Sequence, residues 1–130
     1  MSKTDESERP MSRPWSDIVA YYEEGPASGP SIDGIATVAR HIRDTRLSEG
    51  LFGWKSMLDL CITQTVVYHP YNGPYLRISP AGDRHVEFRY IDTRESSKQW
   101  HRSVPADEAV SRLHRFLMQM HWFSSVPAAE

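Results

Sequence analysis

Apolar residues recur at helical spacing in two long segments of the chain. In the first, a stripe that includes Ile35 predicts a helix over residues 31–48, with Ser31 as its N-cap. In the second, a stripe that includes Leu113 predicts a helix over residues 105–121. Because charged residues occupy the opposite side of both segments, each helix is expected to pack one face on a core.

Between these helices the pattern changes to a period of two. Apolar and polar residues alternate, which is typical of strands with one buried face. The alternation predicts four strands, over residues 58–68, 75–79, 84–91 and 98–104. Asn72-Gly73 is a strong hairpin signal between the first two strands, and residues 80–83 carry the next turn.

Turns this short place consecutive strands side by side and antiparallel. The predicted fold class is therefore α+β, an antiparallel four-stranded β-meander with two long helices packed on one face. The element order is α-β-β-β-β-α. The first strand fits this scheme only with a bulge near Gln64 or a longer loop. A two-residue turn would pair Val67 with Ile78, which reverses the faces of that strand.

The first fourteen residues lack any such periodicity. They are mostly polar and contain two prolines, so we expect residues 1–14 to form a disordered N-terminal tail. Residues 15–130 are expected to fold as a single α+β domain, since their number suits one core. A short helix over residues 15–22, capped by Ser16, is expected where this domain begins.

Pairing the buried residues of neighbouring strands sets their register. We expect Ile78 opposite Val86, which leaves a short loop in which Gly82 can adopt a positive φ. In the next pair of strands, Tyr90 is expected opposite Trp100. The paired residues then face the helices, and the residues between them face outward.

The outward-facing residues form the candidate binding surface. The register pairs Arg77 with Glu87. It also pairs Tyr75 with Arg89, and it places Arg89 opposite His101. Arginine and tyrosine are residue types that often anchor protein interfaces. The predicted binding residues are Tyr75, Arg77, Glu87, Arg89 and His101.

Composition bears on two questions, which classes of partner are expected and in which compartment the protein lies. The formal net charge is −2 and the isoelectric point is about 6.3, so nucleic acid is not an expected partner. We expect no membrane partner, because no apolar run is long enough for a span and the N-terminus carries no secretory signal. A single cysteine, Cys61, cannot form an internal disulfide. These features favour a soluble cytoplasmic protein, and the excess of arginine over lysine suggests a bacterial source.

Motifs for catalysis and metal binding are missing from the sequence. His114 and His121 are seven residues apart, about 10 Å along a helix, which is too far for one metal ion. Cys61 lies among apolar residues in a predicted strand, where a packed thiol is the usual outcome. Neither GxGxxG, a P-loop nor GxSxG occurs. We therefore expect no catalytic residue, no metal site and no cofactor.

These observations favour a non-enzymatic protein-binding module of the immunity or adaptor type, which uses the exposed sheet face and takes another protein as its partner. Two alternatives stay open. The first is a small-molecule-binding domain or small enzyme with a pocket between the sheet and the helices. Such a pocket would be lined by Trp54, Tyr90, Trp100 and His101. The second is a homo-oligomer that forms through the free edge of the fourth predicted strand.

Overall fold

The computed structural model describes residues 9–69, 71 and 73–122. Within them the helices are α1 (Trp15–Glu24), α2 (Pro30–Asp44) and α3 (Ala109–Gln119). The strands are β1 (Phe52–Ser56), β2 (Asp59–Thr63), β3 (Tyr75–Ala81), β4 (His85–Ile91) and β5 (Trp100–Pro105). Short 3-10 turns occupy Arg46–Glu49, Ser96–Lys98 and Ala106–Glu108. The strands form one antiparallel sheet in the order β1-β2-β3-β4-β5. The predicted α+β meander is confirmed, with one more strand than expected, and the short helix predicted over residues 15–22 corresponds to α1.

The helices pack on one face of the sheet around a continuous apolar core. Trp15 of α1 lies over β1, where a methyl group in place of the Gly53 hydrogen would come within 2.5 Å of the indole ring. The Trp15 Nε1 also donates a hydrogen bond to the Leu51 carbonyl at 2.9 Å. Ile35 of α2 and Phe116 of α3 are fully buried in the same core. The amphipathic stripes of the sequence therefore mark the buried faces of the helices.

The helix ends differ in detail from the predicted ones. The residue before α1 is Pro14, and no side chain caps this helix, so Ser16 lacks the predicted capping role. Helix α2 begins at Pro30 and ends at Asp44, where the extended backbone of Thr45 starts a 3-10 turn. The Ser31 hydroxyl lies between the carbonyls of Ala81 and His85 and donates its single hydrogen to one or the other instead of capping the helix. Ser31 thus ties α2 to the hairpin of β3 and β4.

The strand predicted over residues 58–68 is shorter in the structure, where β2 covers Asp59–Thr63. Met57, with a φ of 57°, forms the turn between β1 and β2, and β2 ends at Thr63. The described residues between Thr63 and Tyr75 lie outside the strands in a long loop, which we call the covering loop. The longer loop of the prediction is therefore confirmed, whereas the two-residue turn is wrong. Asn72 of that turn lies outside the described residues.

Residues 9–14 of the segment predicted as a disordered tail lie against the sheet and the covering loop. The Met11 amide donates to the Val67 carbonyl at 2.8 Å, and the Arg13 amide donates to the Gly53 carbonyl at 2.9 Å. Met11 also packs on a small apolar cluster on the outer face. Backbone hydrogen bonds and the Met11 side chain hold this segment in place. Neither requires apolar residues at regular spacing, so no sign of an ordered segment appears in the sequence. Residues 1–8 of the predicted tail lie outside the described residues.

The register of β3 and β4 differs from the predicted register by two residues. Ile78 pairs with Phe88 rather than Val86, because β3 continues to Ala81 before the chain turns. In this turn the positive φ values belong to Asp83 and Arg84, at 57° and 62°, and not to Gly82. A shift of two residues preserves the alternation of faces, so the predicted inward and outward sets are unchanged. The predicted pairing of Tyr90 with Trp100 in β4 and β5 is confirmed.

Candidate functional site

The outer face of the sheet is covered over β1 and β2 and open over β3, β4 and β5. The covering loop and Met11 pack on Trp54 and Cys61, which are 8% and 0% exposed. The Trp54 ring lies 5.4 Å from that of Tyr75 and 6.3 Å from that of Tyr71. Burial raises the pKa of the Cys61 thiol to about 12, so this thiol stays protonated. The covered half is a second small apolar core.

A row of four outward-facing residues crosses the sheet from the covered half to the open half. Cys61, Arg77, Arg89 and His101 lie directly opposite one another on successive strands. We call them the central row. The register therefore places two arginines side by side, and like charges in this position repel. A carboxylate of β2, that of Asp59, lies beside both arginines and offsets this repulsion.

Asp59 is shared by the two arginines of the central row. Its Oδ2 accepts a hydrogen bond from the Arg77 Nε at 2.6 Å and lies 3.5 Å from an Arg89 terminal nitrogen. Burial alone would lower the pKa of Arg77, but its hydrogen bonds with Asp59 and Tyr75 raise that pKa above the ordinary value. One carboxylate thus faces two guanidinium groups.

Arg89 lies at the centre of the open half. One terminal nitrogen donates to the Ser79 hydroxyl at 3.0 Å, and the side chain is 38% exposed. Its Nε is buried and has no hydrogen-bond partner among the described residues. A buried donor without an acceptor costs about 1–3 kcal/mol. Arg89 therefore combines an exposed charge with an unused donor.

The predicted binding residues all lie on the outer face, but their partners differ from the prediction. Glu87 is opposite Ser79 and not Arg77, and its carboxylate is 3.1 Å from the Nδ1 of His101. Tyr75 is opposite Ile91 and not Arg89, and it packs in the covered half. Both corrections follow from the two-residue shift in register. The predicted position of Arg89 opposite His101 is confirmed.

Sequence reasoning missed Asp59, which is the central acid of this site. Its place on β2 with the same parity as Cys61 could have indicated an outward side chain. The sequence could not indicate that β3 and β4 would bring two arginines within reach of it. That contact depends on the register of three strands.

A histidine pair between α2 and α3 was missed for a similar reason. The Nε2 atoms of His41 and His114 are 2.7 Å apart, although 73 positions separate the residues. One nitrogen must donate and the other accept, so the two imidazoles cannot both be protonated in this arrangement. Burial and the neighbouring His41 lower the pKa of His114. Among the described residues no group of three potential metal ligands occurs.

The four residues predicted to line a pocket between the sheet and the helices lie on opposite faces of the sheet. Trp54 lies in the cluster on the outer face, and His101 lies on the same face. Tyr90 and Trp100 face the helices, with their rings 6.3 Å apart, and both pack on Phe116. The four residues therefore do not line a common pocket.

The chain matches no protein-family model, and no curated protein or solved structure is significantly similar to it. None of the described helices has the length and apolar character that crossing a membrane requires. Function is therefore inferred from the chemistry of the side chains that the sheet presents.

Proposed function

We propose that the protein is a non-enzymatic protein-binding module that docks a partner protein on the open half of its outer sheet face, with Arg89 as the anchor. The observation that supports this proposal is the state of the Arg89 side chain. It is partly exposed, its buried Nε has no acceptor among the described residues, and it shares the carboxylate of Asp59 with Arg77. A partner can supply acceptors for the exposed part of this guanidinium.

The chemistry of Arg89 favours an acidic group on the partner. A carboxylate can accept two parallel hydrogen bonds from a guanidinium, and Arg89 shares the single carboxylate of Asp59 with Arg77. Glu87 and the exposed His101 lie at the rim of the same face, where polar contacts help to exclude the wrong partner. The partner surface is therefore expected to present an Asp or Glu beside neutral polar groups.

Binding is proposed rather than catalysis because of how the side chains are arranged. An enzyme brings several titratable groups together around one cavity. Here Asp59, Glu87 and Arg89 are distributed across an open sheet surface. An immunity- or adaptor-type protein of the bacterial cytoplasm would use such a surface to occlude its partner, and a reducing compartment would keep Cys61 as a thiol.

Affinity capture with the full chain tests this proposal. The wild type, Arg89→Ala and Arg43→Ala are immobilised in equal amounts and exposed to a lysate of the source organism. Arg43 is the matched control, because it also forms an ion pair with an aspartate but lies on α2, in the helical layer. We expect one protein at stoichiometric amounts with wild type and Arg43→Ala, and a large loss with Arg89→Ala.

Two results of this capture would contradict the proposal. Equal recovery of the partner by all three chains would place the binding surface elsewhere. Recovery of only further copies of the same chain would favour self-association through β5, which is an edge strand of the sheet.

A further inference from the structure

Three arginines line adjoining clefts between β5 and α3. Arg102 comes from β5, and Arg112 and Arg115 come from α3. The clefts have volumes of about 450 and 470 Å³, and all three arginines line both of them. Arg102 is opposite Phe88, on the helix-facing side of the sheet, so this site is separate from the outer face. We call it the arginine cleft.

The positive charge of the arginine cleft is largely uncompensated. Within the described part of the chain, none of the three arginines forms an ion pair with a carboxylate. Glu108 lines one of the clefts, so three guanidinium groups and one carboxylate leave a net charge of +2. Burial, together with the charges of Arg102 and Arg115, lowers the pKa of Arg112. Such a cluster is unfavourable until an anion neutralises it.

Arg112 is oriented by the aromatic core beside it. Its guanidinium lies 5.9 Å from the centre of the Trp100 ring, at cation–π distance. Its Nε is buried and has no hydrogen-bond partner among the described residues. The hydroxyl residue Ser111 of α3 lines the same cleft. The site therefore combines several donors with a fixed guanidinium, which reduces the entropy lost when a ligand binds.

We propose that the arginine cleft binds the phosphate group of a small phosphorylated molecule, held by Arg102, Arg112 and Arg115. A phosphate monoester carries nearly two negative charges near neutral pH, which matches the charge of the cleft. Its three terminal oxygens accept the paired hydrogen bonds that guanidinium groups donate. A carboxylate carries one charge and would leave the cluster half compensated. Each cleft has a volume typical of a small-molecule site and not of an extended groove.

Titration calorimetry with the full chain tests the proposal. Inorganic phosphate and pyrophosphate are titrated at constant ionic strength, with acetate as the singly charged reference. We expect saturable binding of both phosphates and none of acetate. A matching rise in melting temperature with phosphate is expected, because a ligand that binds only the native state stabilises it.

Variants of the cleft locate the binding. We expect Arg115→Gln to weaken pyrophosphate binding at least tenfold, and Arg112→Gln combined with Arg115→Gln to abolish it. Arg112→Lys keeps the charge but loses the planar fork, so intermediate affinity is expected. Arg9→Gln is the control, because Arg9 is exposed and adjoins the segment bridged to β1, at the other edge of the sheet. Its affinity should stay within twofold of wild type.

Arg115 is exposed, so Arg115→Gln is expected to fold even if the double variant does not. Circular dichroism and melting curves check this directly. Three outcomes would overturn the proposal: no saturable binding of either phosphate by wild type, an equal loss with Arg9→Gln, or binding of an oligonucleotide or an anionic phospholipid vesicle without binding of the small phosphates. None of these readouts depends on the partner of the outer face.

Discussion

Phe116 is the residue on which the packing of α3 most depends. It is fully buried, and its ring lies 6.0 Å from Tyr90, 5.9 Å from Trp100 and 4.9 Å from Trp122. We expect Phe116→Ala to lower the free energy of unfolding by about 3–5 kcal/mol, because it leaves a cavity among these rings. Urea denaturation measures the change.

Met118 of the same helix provides the control for Phe116. Its side chain is 50% exposed, so Met118→Ala should alter the free energy of unfolding by about 0.5 kcal/mol or less. A loss below about 1 kcal/mol for Phe116→Ala would show that α3 is peripheral to the core.

Cys61 is expected to be unreactive in the folded protein. It is fully buried under the covering loop, and its pKa is raised to about 12 by burial. Thiolate is the reactive form, so a thiol reagent at mildly alkaline pH should label the native chain only as fast as the chain opens. In denaturant the same reagent should label it at once. Rapid stoichiometric labelling of the native protein would show that the covering loop does not protect the outer face.

Residues 9–14 act as a short structural element at the edge of the sheet. A chain that starts at residue 14 loses the two backbone hydrogen bonds donated by Met11 and Arg13, together with the Met11 contact, which a chain starting at residue 9 retains. We expect the shorter chain to be less stable by about 2–3 kcal/mol. Met11→Ala in the longer chain should account for about 1 kcal/mol of this difference. Equal stability of the two chains in urea would contradict the docking of this segment.

The histidine pair makes the contact between α2 and α3 sensitive to pH. The folded state lowers the pKa of His114 below its ordinary value of 6.5, so the unfolded state binds more protons in the range just below that value. Stability is therefore expected to fall as the pH decreases through 6.5, and to be retained above it. Denaturation of wild type and His114→Gln on both sides of this pH measures the effect.

The variant His114→Gln should show a flatter dependence of stability on pH than wild type. His121→Gln is the control, since His121 is an exposed residue that follows α3. It should retain the dependence of the wild type. An identical pH dependence in all three proteins would show that the pair of His41 and His114 does not control the stability of the helix contact.

Across the whole molecule, the local hydrophobic patterns predicted the secondary structure and the buried face of each element. The apolar stripes of α2 and α3 and the alternation in β3, β4 and β5 indicated the elements and their buried faces. Strand β1 was missed because its residues Phe52–Ser56 include Gly53, which packs under Trp15, and show no alternation. A glycine that packs against an aromatic ring adds no apolar side chain, so the strand pattern is interrupted at that position.

The candidate site was predicted in its position but not in its contacts. The alternation placed Arg77, Arg89 and His101 on one face, because a register error of two residues preserves that face. The shared carboxylate of Asp59 could not be predicted, since it depends on the register of three strands at once. The burial and the hydrogen bonds of Asp59 arise only when β2, β3 and β4 are paired, so the sequence of one strand does not indicate them.

The central claim concerns Arg89 and the partner that it is proposed to hold. Replacing Arg89 by Ala should hardly change the melting temperature, because Asp59 keeps its hydrogen bond with Arg77 and the ion pair of Arg89 with Asp59, at 3.5 Å, is the longer of the two. The same change should remove the anchor of the interface. Affinity for the partner and stability of the fold should therefore respond differently.

The most direct test is a calorimetric titration of the captured partner into wild type, Arg89→Ala and Arg43→Ala, with melting curves of all three. We expect Arg89→Ala to weaken binding by about 2 kcal/mol, which is roughly thirtyfold in Kd. Wild type and Arg43→Ala should bind with equal affinity. If all three chains bind the partner within twofold of one another, the outer sheet face is not the docking surface.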